Sequence, residues 1–433
     1  MKKSDLFKNE EEELRKALEA IQKKLVGKRL TYKEVFAVMD EIARNRLGDV
    51  LTTYFAASGF AKGFTNKELY HLTRSMVDTG ERLSFKGIVA DKHSIGGVPG
   101  SRTTLIVVPI VAAAGFTVPK SSSRAITSPD GTADDMEVLA PVVLTREKIY
   151  KVVKKTNGCI VWGGSFGIAP ADDIMIKVEK PLLFESYDKI LVSIMAKKVA
   201  FGSNHVVIDL PYGKSVKVHR LKDAKILKEK FQYLARQFHI KIKVLIQRTD
   251  EPLGRGIGPV LETREALRIL QQKSERPLDL EERSLTLAGE LLKLCLTDAN
   301  VNLKKEIKKT HGSSFNWAKN ILKNGLAFKK MQEIIRAQGG NPNIDSEDLK
   351  TGKFKDTIKA KESGIVRRIN TRNLTMVARI LGAPEHKTTG VYLNKKLGEE
   401  VRKNETICTL YSENMYNLKT GKRSAIRFPI ISL

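Results

Sequence analysis

Between residues 87 and 167 the chain alternates short β-type runs, polar loops and one wholly apolar helix, an order that few folds accommodate. The stretch from Asp91 reads DKHSIGGVPGSRTT and leads into an apolar run starting at Leu105; a second polar loop, KSSSRAITSPDGT, follows from Lys120. Apolar spacing and turn residues predict strand 87–91, helix 105–115, a strand, helices 132–139 and 145–155, and strand 158–162. Strands separated by helices argue for a parallel α/β sheet. In such sheets ligands collect at the carboxyl ends of the strands. Gly96, Gly97 and Gly100 let backbone N–H groups approach an anion closely, and a helix N-terminus adds partial positive charge.

The side chains around these loops suit a phosphate. Lys92, Ser94, Thr104, Ser122 and Thr132 can each offer a donor to a phosphate oxygen. A Gly/Ser loop can also simply turn the chain, and Ser121 to Ser123 alone would fit that description. Two such loops flanking one apolar helix favour an anion site for phosphate or a phosphorylated small molecule. His93 either donates to a leaving group or caps its loop. Asp172 and Asp173 read as a helix N-cap pair, and Asp134, Asp135 and Glu137 as ordinary acids at a helix start.

Elsewhere the periodicity predicts helices over 10–26, 35–45 (capping box from Thr31), 49–61 and 66–77, so the first 80 residues form a small helical domain. Residues 168–201 read as helical again. Strands are expected over 205–213 and 242–247, and helices over 223–238, 262–272, 279–296 and 316–336. GRGIGP at 254–259 is a second glycine loop without the remaining elements of a dinucleotide fingerprint, and no P-loop motif occurs. A Gly-Gly-Asn-Pro-Asn break at 339–343 precedes short strands of an α+β tail.

A length of 433 residues calls for two or three domains. The apolar run is too short to cross a bilayer, and the N-terminus has no apolar core of a signal peptide. Cys159, Cys295 and Cys408 stand far apart and have no metal-ligand spacing, which points to reduced thiols in a cytoplasmic protein. No metal or cofactor is implied. The net charge of +27 spreads over every segment without a dense basic tract, so it indicates a lysine-rich surface rather than nucleic-acid binding, and no membrane partner.

Taken together, DKHSIGGVPGSRTT, SSSRAITSPDGTAD, CIVWGG, APADD, SIMAKK, HVVIDLP and GRGIGP resemble the nucleoside phosphorylase family that includes thymidine phosphorylase. The likeness is greatest to its branch of archaeal AMP phosphorylases and type 2 thymidine phosphorylases. It runs from about Leu30 to near the C-terminus. It implies an α/β fold with a split helical domain (1–80 and 171–203) facing a larger α/β domain (81–170 and 204–340) across a cleft. A small C-terminal α+β domain (341–433) completes it. The implied reaction is phosphorolysis, in which phosphate is a co-substrate that attacks the anomeric carbon of a nucleotide or nucleoside and expels the base.

By position, the resemblance makes Lys92, Ser94, Thr104, Ser122 and Thr132 the phosphate site and puts His93 near the base. In the AMP branch Gly97, Ser123, Arg124, Ala125, Ile126, Thr127, Ser128, Thr132, Ser193, Lys197 and Lys217 would contact the nucleotide. Three departures stand out. Asp172 occupies a position where thymidine phosphorylases carry an arginine. Glu185 takes the place of an aspartate proton donor, reaching one methylene further. The additional N-terminal domain of AMP phosphorylases has no counterpart here, which implies a homodimer at most.

Overall fold

The computed structural model describes residues 3–126, 128–165, 167–179 and 186–433. They form two compact units: Met1–Gly87 with Gly163–Asn204 and Ile226–Ile242, and Ile88–Trp162 with His205–Lys225 and Lys243–Leu433.

The first unit opens with helices α1 (Lys3–Leu25), α2 (Tyr32–Ala43), α3 (Gly48–Lys62) and α4 (Asn66–Asp78). Thr31 and Thr65 each close a capping box, with Glu34 and Glu68, so the first orphan amides of α2 and α4 are satisfied reciprocally. Glu68 is buried and also accepts from the Leu30 amide and from Lys24 Nζ at 2.8 Å, tying α1 and the α1–α2 turn to α4.

The second unit begins with β1 (Ala90–Ser94), α5 (Thr103–Ala113), β2 (Val118–Ser122), α6 (Thr132–Met136), α7 (Arg146–Thr156) and β3 (Gly158–Trp162). The chain then returns to the first unit as α8 (Pro170–Glu179) and α9 (Tyr187–Ala200). The stretch expected to be helical over 168–201 is therefore two helices, packed on α2, α3 and α4. Next come β4 (His205–Tyr212), α10 (Leu221–Gln237), β5 (Lys241–Arg248) and β6 (Gly256–Ile257). Helices α11 (Pro259–Leu270), α12 (Leu278–Leu296), α13 (Val301–His311), α14 (Ser314–Lys323) and α15 (Leu326–Gln338) follow. The tail holds β7 (Phe354–Lys359), β8 (Gly364–Ile365), β9 (Arg368–Ile369), α16 (Thr371–Leu381) and β10 (Gly390–Leu393). It ends with β11 (Glu400–Val401), β12 (Thr406–Ser412), α17 (Met415–Arg427) and β13 (Ile431–Ser432).

Strands β1 and β4 pair in parallel, as do β2 and β3, and a parallel bridge between Val89 and Thr117 joins the two ladders. Helix α5 is apolar on every side and buried from Thr103 to Ala112, as a helix at the centre of a core must be. It packs against α12, α15 and α11. This is the expected parallel α/β arrangement.

Three details differ from the sequence expectation. Strand β1 lies three residues later than 87–91, so Lys92, His93 and Ser94 belong to the strand itself, where pairing with β4 draws their polar side chains into the sheet. The helix expected over 316–336 is broken at Asn324–Gly325, where Gly325 takes a left-handed φ of 72°. Helix α13, capped by Asn300, was not anticipated from its weakly apolar sequence.

The break at 339–343 ends α15 with Gly339 in the left-handed region. Beyond it a separate apolar cluster forms around Val377, Leu381, Val391 and Leu410. That cluster includes Ile257, because β6 pairs with β10 in the sheet β6–β10–β12–β7. The three cysteines are unpaired, and burial pushes each thiol up to about 12. No helix among the described residues is long and apolar enough to cross a membrane.

Candidate active site

In the second unit the carboxyl end of β1 carries a buried ammonium. Lys92 is 1% exposed, and its Nζ donates to Ser94 Oγ at 2.7 Å, to Thr104 Oγ1 at 3.4 Å and to Thr103 Oγ1. Ser94 in turn donates to Asp209 Oδ2 at 2.8 Å, its register partner on β4, and Asp209 also holds Arg283 of α12. Burial lowers the Lys92 ammonium to about 8, with Asp209 opposing the shift and Arg283 adding to it. A threonine oxygen that accepts from Lys92 keeps its own hydrogen for another acceptor. Thr103 and Thr104, at the first turn of α5, therefore offer donors beside a cation and a helix N-terminus.

His93 lies between Lys92 and Ser94 on the strand, and alternation turns it to the opposite face from those two side chains. The structure does not bring it together with the ammonium cluster.

The glycine loop after β1 is tightly enclosed. Gly97 has φ 84°, and a Cβ there would meet the backbone N and Cγ of Lys217 at 2.9 Å. The two residues expected to share the nucleotide are thus neighbours. Gly100 lies against the Leu253 carbonyl, and the Leu253 amide donates to the Pro99 carbonyl at 3.1 Å, so the chain leading into GRGIGP lines the back of this loop.

The second loop leaves β2 with two hydroxyls, Ser121 Oγ and Ser122 Oγ, buried and without a hydrogen-bond partner among the described residues. Thr132, half-buried, is the first residue of α6. Arg124 makes a two-pronged contact with Glu137, 2.6 Å at each oxygen, and bonds Asp134 Oδ1 at 3.0 Å. Its guanidinium also lies 5.3 Å from the Trp162 ring centroid. Asp134 Oδ2 accepts from the amides of Ala125 and Gly131, and Arg379 Nη2 of α16 donates to the carbonyls of Ile126 and Ser128. Ser128 Oγ donates to the Asp130 carbonyl. The run from Ser123 to Ser128 is therefore shaped by carboxylates from α6 and an arginine from the tail. Thr127 lies outside the described residues.

In the first unit, Ser193 and Lys197 of α9 meet Asp172. Ser193 Oγ and Lys197 Nζ each reach Asp172 Oδ2 at 2.7 Å, and Lys189 Nζ lies 3.6 Å from Oδ1 while bonding Glu179 at 2.7 Å. Burial alone would raise the Asp172 carboxyl; Lys197 and Lys189 outweigh it and hold it at about 2. The N-cap reading of Asp172 is corrected here, since its carboxylate lies in the first turn of α8 and faces two lysines. Glu185 lies outside the described residues.

Sequence reasoning missed Asp209 and Arg283. Asp209 carried a usable signal, a lone carboxylate inside the apolar strand HVVIDLP; Arg283 sits on an ordinary amphipathic helix and carried none.

The parallel sheet with an ammonium–hydroxyl cluster at a strand end is the frame on which the comparisons place a transferase. Residues 86–327 match the family described as glycosyl transferase family, a/b domain. Residues 18–80 match its helical bundle domain, and residues 365–423 match the pyrimidine nucleoside phosphorylase C-terminal domain. The chain is 43% identical to an AMP phosphorylase of Thermofilum pendens over 94% of its own length and 76% of the relative's. It is 41% identical to an AMP phosphorylase of Methanocaldococcus jannaschii, covering 99% and 83% of the two chains. It is also 41% identical to a putative thymidine phosphorylase of Legionella pneumophila, over 92% and 74%. A crystal structure of anthranilate phosphoribosyltransferase from Thermus thermophilus shares the fold, with TM-score 0.60 at 16% identity, covering 74% of this chain and 99% of that one. The protein is a pentosyltransferase. It belongs to the nucleoside phosphorylase family, with a helical domain, an α/β domain and a small C-terminal domain.

Proposed function

We propose that this phosphorylase cleaves the N-glycosidic bond of a nucleoside 5′-monophosphate, AMP first and also CMP and UMP, with inorganic phosphate, releasing the base and ribose 1,5-bisphosphate. The observation that carries the reading is the buried Lys92 ammonium, anchored by three hydroxyls and balanced through Ser94 by Asp209. Phosphate held by Lys92, Ser94, Thr104, Ser122 and Thr132 is a nucleophile kept in place beside C1′, which converts an encounter between two anions into a local step. As the base leaves, the sugar gains oxocarbenium character, and the bound dianion stabilises it. Glu185 supplies the proton to the departing base.

The 5′-phosphate falls to Lys217, the Gly97 backbone and the hydroxyls of Ser123 and Ser128. Arg124, engaged by Glu137 and Asp134, holds the loop from behind. Asp172 ion-pairs with Lys197, an arrangement that supports a base other than thymine, since the family's thymidine enzymes carry arginine at that position. The alternative is phosphorolysis of thymidine or other pyrimidine nucleosides to base and pentose 1-phosphate, favoured by the Legionella relative. A panel of AMP, CMP, UMP, thymidine and uridine, each with and without phosphate, separates the two by chromatography of the released base. Phosphate-dependent adenine release from AMP is expected. Turnover of thymidine with none of AMP would overturn the reading.

A further inference from the structure

The two loops of the phosphate cradle meet at a charge cluster that lies outside the ammonium site. Arg102 is the residue before Thr103 and Thr104, and its side chain is enclosed by three carboxylates. It ion-pairs with Asp130 and Asp135, its Nε lies 2.7 Å from Glu262 Oε2, and its Nη2 donates to the Asp130 carbonyl at 3.2 Å. Arg102 is 6% exposed, Glu262 1%, and Asp130 and Asp135 are fully buried. Their four attachment points differ. Arg102 ends the first loop, Asp130 ends the second just before Thr132, Asp135 lies on α6, and Glu262 lies on α11. Thr263 Oγ1 of α11 donates to the Asp135 carbonyl at 3.0 Å, so the two helices are also joined directly.

The carboxylate oxygens of Asp130, Asp135 and Glu262 lie within 4.8 Å of one another, a spacing that could suit a cation. The Arg102 guanidinium already occupies the role. One positive charge against three buried carboxylates would leave an excess that a dry interior does not tolerate, so the cluster retains protons. Burial does push the Asp135 and Glu262 carboxyls well above their ordinary range, Arg102 opposing the shift and Asp130 adding to it. A protonated carboxyl can donate to its neighbour, which lets the trio close around one guanidinium.

We propose that Arg102 is a positioning residue that fixes the separation of the two cradle loops by gripping Asp130, so that Thr104 on one side and Ser122 and Thr132 on the other address the same phosphate. This rests on the phosphate reading of the cradle. A guanidinium offers donors in a rigid planar fork, and a flexible ammonium at the same place does not hold two partners at one spacing. Moving the second loop by a bond length would break the Asp130 contact.

The test measures inorganic phosphate binding by calorimetry, and the phosphate KM, for the wild type, Arg102→Lys, Arg102→Ala and Asp130→Asn, with folding followed by circular dichroism. Arg102→Lys and Asp130→Asn should fold and bind phosphate at least tenfold more weakly. Millimolar guanidinium should restore most of the loss in Arg102→Ala and none in Asp130→Asn. If Arg102→Ala does not fold, the other two variants still decide. Phosphate Kd within twofold of wild type in both Arg102→Lys and Asp130→Asn would overturn the proposal. A wild type that binds phosphate but releases no base would instead sink the proposed reaction and leave the positioning role to be judged on Kd.

Discussion

The Ser94 hydroxyl accepts from Lys92 at 2.7 Å and donates to Asp209 at 2.8 Å, so a single oxygen joins the site's buried cation to its counter-charge on the next strand. Asp209 helps keep Lys92 charged near neutrality, against the burial that lowers it to about 8. Phosphate affinity should therefore weaken as pH rises through about 8 and the ammonium loses its proton. In Asp209→Asn the supporting charge is gone, and that limb should move to lower pH. Phosphate KM measured from about pH 6 to 9.5 checks this, and an unmoved limb in the variant would contradict the relay.

Lys92→Met should separate function from stability. A Lys whose folded pKa lies near 8 rather than 10.5 binds fewer protons folded than unfolded between those values, so the fold gains stability as pH rises through that window. At neutral pH the buried charge is a net burden of roughly 3 kcal/mol by the size of the shift. An apolar side chain of similar length should raise or preserve the midpoint of urea unfolding while phosphate-dependent base release is lost. A large fall in the midpoint would show that the hydroxyl contacts outweigh the burial.

Asp172 behaves in the opposite sense. Its carboxyl, held at about 2, contributes stability at all pH above the ordinary carboxylate range, and that contribution fades as pH falls towards 2. Asp172→Ala takes this carboxylate from both Lys197 and Lys189, while Lys189 keeps its pair with Glu179. The expected loss is about 3–5 kcal/mol, the range for breaking a buried pair on one side, read by denaturant unfolding at neutral pH. A change below about 1 kcal/mol, the ceiling for a solvent-exposed pair, would mean that solvent reaches the lysines freely.

Gly97→Ala tests the close approach of the glycine loop to Lys217. A side chain at φ 84° is strained in itself, and its Cβ would press on the Lys217 backbone at 2.9 Å. The strain amounts to about 1–3 kcal/mol, and displacement of Lys217 should raise the nucleotide KM at least tenfold. Unaltered nucleotide KM would separate Lys217 from the substrate.

The residues that flank glycine in the first loop were legible because donors and backbone freedom coincide within a few positions: Lys92, Ser94 and Thr104 do assemble. Arg283 was not, and Asp209 showed only as a lone carboxylate in an apolar strand, since both join the site through the β1–β4 pairing and the packing of α12, which are long-range in sequence. Strand β1 was set too early because polar Lys92 and Ser94 do not look like strand residues until their partners on β4 and α5 are known. Arg124 advertised a free cation in a hydroxyl-rich loop, and only the fold reveals Asp134 and Glu137 across from it. The apolar pattern found most helices, yet it could not see the interruption at Gly325 or the weakly apolar α13.

The pairing of β10 with β6 also bears on how the protein is made. The first glycine loop rests on Leu253, the Leu253 segment continues into β6, and β6 completes its ladder only with Val391 and Tyr392. Lys396 adds bonds to the carbonyls of Pro252 and Gly254 from the same late segment. A nascent chain therefore carries an unbraced glycine loop until residues 390–396 have left the ribosome. Prematurely terminated products lacking β10 would lack the brace, whatever else of the α/β sheet had already formed.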